Sequence, residues 1–118
     1  MVYFMSYIIV ITTFGNKEEA TIGVKRLLQE KLIACGNIID SVSSLFWWNK
    51  KIEEQKEVLV LMKSHKNLFK KLSERIKESH SYDVPEIIAL PITEVSKSYL
   101  DWMKSFLEPV KNIGKEAD

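Results

Sequence analysis

The chain is poor in the residues that build metal centres: it has one cysteine, Cys35, and two histidines, His65 and His80, in 118 residues. A tight four-ligand nitrogen and sulfur site within one chain is impossible on that inventory. A single thiol also excludes an internal disulfide, so a reducing compartment is expected. Charge of one sign is missing too. Lys+Arg 17 against Asp+Glu 16 leaves a net +1, which gives no general drive toward nucleic acid or an anionic membrane. There is no Gly-rich phosphate loop, nucleophile elbow, CxxC pair or HExxH, and no convincing nucleophile–base pair. A non-enzymatic protein is the expectation. The apolar N-terminal stretch lacks a basic leader and a small-residue cleavage site, and it is too short to span a bilayer. It reads as a core strand of a soluble, cytoplasmic protein. With no repeat, linker or low-complexity segment, residues 1–108 form one domain and 109–118 a flexible tail.

What is present is a long β-hairpin from Ala34 to Ser64, turning at Asn49-Lys50-Lys51 just after Trp47-Trp48. Its second arm carries five apolar residues in a row, Val58 to Met62. An antiparallel strand with one solvated face alternates apolar and polar residues, so an unbroken run implies cover on both faces. Loss of clean alternation around Asp40-Ser41 predicts a bulge.

Before the hairpin, Tyr3 to Phe14 reads as a strand. Asn16 caps a helix, with Glu19 placed for a reciprocal capping box. Ala20, Val24, Leu27, Leu28 and Leu32 supply its apolar stripe. Gly23, costly in a helix, suggests a close approach to the sheet.

After the hairpin, Ser64 is positioned to cap a helix running to Ser79, with Leu68, Leu72 and Ile76 buried. His65 is expected in solvent. The basic residues Lys66, Lys70, Lys71, Arg75 and Lys77 read as a solvated face rather than a nucleic-acid footprint. Residues 80–85 form a structured connector, since Pro85 holds Val84 extended. Glu86 to Ile92 is a short strand that Pro91 places at an edge. Ser96 to Leu107 is a last helix with Tyr99, Leu100, Met103 and Leu107 inward.

The order β-α-β-β-α-β plus one helix is that of an α+β ferredoxin-like sandwich. Two helices cover one sheet face, and the apolar runs leave the other face needing cover. Copies of the same chain in a closed assembly would supply it.

Cys35 reads either as a soft metal donor or as a small buried residue. His80 reads either as a metal ligand or as a residue closing the end of the second helix. The Trp47-Trp48 pair points to opposite strand faces, so its rings serve packing or a cleft. In the second case Trp47, Trp48, Lys51, Glu54 and Tyr82 line an intersubunit pocket for a small charged ligand. Glu53 and Glu57 share a face that Glu54 does not, and all three read as a solvated or ion-paired arm.

Five stretches together resemble the CutA divalent-cation tolerance family over residues 7–107. They are Thr12-Thr13-Phe14; Leu32 to Asn37; Trp47-Trp48 with Lys51 to Glu54; His80 to Ile87; and Tyr99 to Trp102. The resemblance implies a ferredoxin-like homotrimer with its sheets inward, linked to divalent-metal tolerance, with copper binding in bacterial members and acetylcholinesterase anchoring in animal ones. Asn49-Lys50 stands where the family often has Gly. Thr12, Ser79 and His80 occupy the positions of a Cys and two His in copper-binding members, so one of those three ligands is kept.

The expectation is a homotrimer that binds copper or another divalent ion weakly, with no tightly bound cofactor and with neither nucleic acid nor membrane as partner. The alternative is a metabolite-binding signalling trimer, similar to the nitrogen-regulatory proteins and acting through a protein partner.

Overall fold

The computed structural model describes residues 6–107. The expected first-strand residues Tyr3 to Met5 and the tail 109–118 lie outside them. Strand β1 spans Tyr7–Phe14 and helix α1 spans Lys17–Gln29. The Asn16 side chain accepts the Glu19 backbone N–H at 2.8 Å, as expected of a cap. The reciprocal half of the capping box is not made. Glu19 instead accepts from the Ser81 backbone N–H and hydroxyl at 2.9 and 3.1 Å, tying the start of α1 to the connector.

Helix α1 ends in a Schellman motif: Leu32 N–H reaches Leu27 O and Lys31 N–H reaches Leu28 O, both at 3.0 Å. Lys31 takes the left-handed conformation there, with φ 60. Leu32 is therefore a buried residue of the turn rather than of the helix, and Leu28 is 39% exposed. Gly23 does permit close approach, since a Cβ there would sit 3.3 Å from the Phe14 ring.

The hairpin forms as read: β2 Cys35–Trp48 pairs with β3 Lys51–His65 from Cys35↔Lys63 to Trp48↔Lys51. Its turn is only Asn49-Lys50, with φ 51 and 63, the two positive values of a type I′ turn. The register shifts between Ile39 and Val42, so the bulge falls at Asp40-Ser41.

Ser64 is not a cap. It stays in β3, buried, and its hydroxyl donates to Leu32 O at 2.7 Å. His65 takes the capping role: its Nδ1 accepts the Asn67 N–H at 3.0 Å at the head of a 3-10 turn, Lys66–Leu68. Far from being in solvent, His65 is fully buried with its ring edge-on to Tyr7 at 4.8 Å. The cause is register, which pairs Tyr7 with His65.

Helix α2 then runs Phe69–Ser79 with Leu72 and Ile76 buried, and Leu68 buried just before it. An ion network joins α1 to α2. Glu30 holds Arg26 at 3.0 Å and Arg75 at 2.8 Å, which withdraws Arg75 from the basic face expected to be solvated.

Strand β4, Ile87–Pro91, pairs with β1 and lies at the sheet edge, as Pro91 requires. The order is β2-β3-β1-β4, all neighbours antiparallel. Helix α3, Lys97–Phe106, is capped by Ser96 and buries Leu100 and Met103, with Leu107 buried just after it. Tyr99, expected inward, is 38% exposed and begins a ladder of tilted rings with Trp102 and Phe106, each step 5.4 Å. No helix among the described residues is long and apolar enough to cross a membrane.

Alternation divides the sheet into two unlike faces. Val10, Phe14, Val58, Val60 and Met62 are buried beneath the helices. Ile9, Ile11, Leu59 and Leu61 point the other way and are only half-buried, while Ile39, Ile88 and Leu90 on the flanking strands are 43 to 49% exposed. The continuous apolar runs thus mark a second face that this chain leaves largely open.

Candidate functional site

Cys35 opens β2 and is half-buried. Its Sγ lies 3.8 Å from Asn37 Oδ1 and accepts from Lys63 Nζ at 4.0 Å, and the same ammonium donates to Asn37 Oδ1. Burial first, then the neighbouring Cys35, pushes the Tyr99 phenol above its ordinary pKa.

His80 follows α2 and is fully engaged. Its Nδ1 accepts the Tyr82 N–H at 3.0 Å, which assigns the proton to Nε2, and Nε2–H donates to Thr13 O at 2.6 Å. Its ring stacks on Phe14 at 4.6 Å and leans on Tyr82 at 4.7 Å. His80 does not bond the last carbonyls of α2, as the closing reading expected; the carbonyl it holds belongs to β1.

Cys35 and His80 are not brought together within the chain. Cys35 sits level with Lys63 and Ile9, whereas His80 binds Thr13. Four strand residues separate those levels, about 13 Å at ~3.3 Å each. Among the described residues no group of three or more His, Cys, Asp or Glu could hold a metal ion. Thr12 is buried beneath the helices, and the Ser79 hydroxyl donates to Arg75 O at 3.3 Å.

The chain does build an open groove of about 850 Å³ between the hairpin arm and the connector. Thr13, Phe46, Trp48, Glu57, Tyr82 and Asp83 are among the residues that line it. Of the five residues expected to form a ligand pocket, Trp48 and Tyr82 do. Trp47 and Glu54 lie on the other hairpin face, where Trp47 pairs with Ile52 and Glu54 with Leu45. Lys51 pairs with Trp48 beside the turn and is exposed.

Glu57 is the residue that sequence reasoning placed wrongly. It is 8% exposed, and the Tyr82 hydroxyl donates to its Oε2 at 2.7 Å. Its position directly before the apolar run, where burial begins, was the available signal. Burial, then the hydrogen bond and charge of Glu57, then the charge of Glu19, push the Tyr82 phenol from 10.0 up to about 12.

Because that pKa is raised on folding, the protonated phenol contributes its stability fully below pH 10 and loses it as pH climbs toward 12. Tyr82→Phe strands a buried carboxylate oxygen and should cost about 1–3 kcal/mol near neutral pH. Urea unfolding between pH 8 and 12 checks both points. The variant's deficit should shrink as pH passes 10, and a deficit independent of pH would contradict the assignment.

A four-stranded antiparallel sheet with two helices on one face, a long hairpin and a pinned connector defines a ferredoxin-like α+β protein. The sequence pattern of the CutA1 divalent ion tolerance proteins matches residues 8–106, and the chain belongs to that family.

It is 48% identical to the divalent-cation tolerance protein CutA of Pyrococcus horikoshii over 96 residues, covering 81% of this chain and 93% of that one. It is 40% identical to the chloroplastic protein CutA 1 of Oryza sativa, covering 83% of this chain and 55% of that one. The crystal structure of CutA1 from Oryza sativa superposes with a TM-score of 0.86 at 38% identity, over 88% of this chain and 95% of that one. CutA1 from Pyrococcus horikoshii gives 0.82 at 44% identity, over 86% and 99%. The family is named for tolerance of ions and not for a catalysed reaction.

Proposed function

We propose that this protein is a non-enzymatic, cytoplasmic homotrimer that binds copper or another divalent ion weakly and serves divalent-cation tolerance. The observation that carries the assembly is the open sheet face of Ile9, Ile11, Leu59, Leu61, Ile39, Ile88 and Leu90. Apolar area removed from water stabilises by roughly 25 cal/mol per Å². A few hundred Å² per chain is therefore worth several kcal/mol to a closed assembly of copies.

Weak metal binding suits the ligand supply. The soft Cys35 sulfur is half-open to solvent, and a complete set requires donors from across a subunit boundary. Calorimetric titration with Cu(I), Cu(II) and Zn(II) tests this on the wild type, Cys35→Ser and His80→Ala. Cys35→Ser should weaken Cu(I) most, and identical isotherms for all three proteins would remove the metal reading.

The second reading, a small-ligand trimer reporting to a protein partner, is favoured by one observation. The groove is of ligand size and carries a preorganised Tyr82–Glu57 wall.

A further inference from the structure

Both histidines of this chain are engaged by its own backbone. A metal ion binds imidazole through a ring-nitrogen lone pair, so a histidine is a ligand only where one nitrogen carries neither a proton nor a donor. His65 is fully buried, and its Nδ1 accepts the Asn67 N–H at 3.0 Å.

At His80 the two partners fix the tautomer between them. The Thr13 carbonyl oxygen can only accept, so Nε2 carries the proton. The Tyr82 backbone N–H can only donate, so Nδ1 supplies the lone pair. An N–H given to a backbone carbonyl is the bond that orients ligating histidines, and it leaves the opposite nitrogen for the metal. Here the opposite nitrogen is already taken, at 3.0 Å, by the backbone two residues on. Freeing it requires the ring to turn, which also parts it from Phe14 at 4.6 Å and from Tyr82 at 4.7 Å.

The two residues that stand with His80 at the family's copper positions fit a metal no better. Thr12 is fully buried and brings a neutral hydroxyl where a thiolate would serve. The Ser79 hydroxyl donates to Arg75 O at 3.3 Å. Among the described residues no three His, Cys, Asp or Glu are grouped to hold an ion.

We infer that His80 is a positioning residue and not a metal ligand: it is the latch that holds the connector against β1. From this latch the connector reaches two further elements. Tyr82 donates to Glu57 of β3 at 2.7 Å, and Ser81 donates to Glu19 of α1 at 2.9 and 3.1 Å. The ring at position 80 therefore fixes where both contacts are made. Ions that favour imidazole, Cu(II) and Ni(II) among them, lose their usual donor in this chain. The inference concerns the ring alone and holds whether or not Cys35 binds metal.

The test reads the ring directly. Near neutral pH, proton–nitrogen correlation spectra of the imidazoles in the full-length protein should show His80 protonated at Nε2 and not at Nδ1. An equivalent of Zn(II) should leave that pattern in place. His80→Ala should lower the melting temperature by roughly 10 °C, because two hydrogen bonds and a stacked ring go with it. In calorimetric titration it should still bind Cu(II) and Zn(II) as wild type does, within about twofold. His80→Asn should recover about half of the lost thermal stability, since an asparagine oxygen accepts a backbone N–H two residues on.

A proton on Nδ1, or a shift of the His80 ring with Zn(II), would overturn the inference. So would a loss of about tenfold or more in Cu(II) or Zn(II) affinity in His80→Ala, or His80→Asn melting no higher than His80→Ala.

Discussion

Ile88→Asp is expected to leave a folded chain that no longer assembles. Ile88 lies on the edge strand, opposite Ile11 in register, with 49% of its surface open in the isolated chain. An aspartate there costs the lone chain little, because half of the site already faces water. In a symmetric assembly the same carboxylate is dehydrated once per subunit, three times per trimer. Each unpaired buried charge costs several kcal/mol, more than the apolar contact it replaces contributes.

Sedimentation at micromolar concentration should therefore show a trimer for the wild type and for Ile88→Val, and a monomer for Ile88→Asp. Circular dichroism should stay near wild type in all three. A monomeric wild type, or a trimeric Ile88→Asp, would mean that the open sheet face is not what holds copies together.

The second large effect lies within the chain. A Cβ on Gly36 would sit 2.6 Å from Val24 Cγ1, with Val24 Cγ2 at 3.4 Å and Ile33 Cδ1 at 3.5 Å. Val24 is 5% exposed on α1, and a β-branched side chain on a helix has essentially one rotamer, so it cannot turn aside. Either α1 lifts from β2 or the strand shifts. Overpacking of this kind costs about 1–3 kcal/mol, so Gly36→Ala should lower the melting temperature by roughly 10 °C.

Gly23→Ala makes the contrast. Its nearest contact is the Phe14 ring edge at 3.3 Å, which needs only a few tenths of an ångström. The better helix propensity of alanine offsets about 1 kcal/mol, so the net change should be close to zero. Thermal unfolding of both variants, with Val24→Ala/Gly36→Ala as the double mutant, separates clash from propensity. The double mutant should be more stable than the sum of its single losses predicts. Simple additivity would place the cause elsewhere.

Much of the fold was legible because its signals are short-range. The Asn16 cap, the stripe through Ala20, Val24 and Leu27, the hairpin turn, the bulge and the edge placement of Pro91 all act within a few residues. Errors arose where one residue had two competent roles. Ser64 and His65 are neighbours, both able to accept a backbone N–H. Pairing with Ile8 fixed Ser64 inside the strand and left the cap to the histidine. Glu19 could have closed a capping box, but Ser81 arrived with two donors. Glu57 looked like one more acid on a solvated arm until Tyr82 covered it. The candidate pocket was half-read for the same reason. Alternation separated Trp47 from Trp48, but only the position of the connector showed which ring has a wall opposite it.

By itself the sequence determined the order of strands and helices, the greasy second face and membership of the family, because periodicity, capping and motif spacing are properties of neighbouring residues. Tertiary structure alone decided that both His80 nitrogens are taken, that Glu57 and Tyr82 form one wall, and that Cys35 and His80 stand apart. Apart from the local bond from Tyr82 N–H to His80 Nδ1, each of those outcomes is a choice of hydrogen-bond partner or position between residues 25 or more apart in the chain. Chemically equivalent donors and acceptors are abundant at that range, and only proximity in space selects among them.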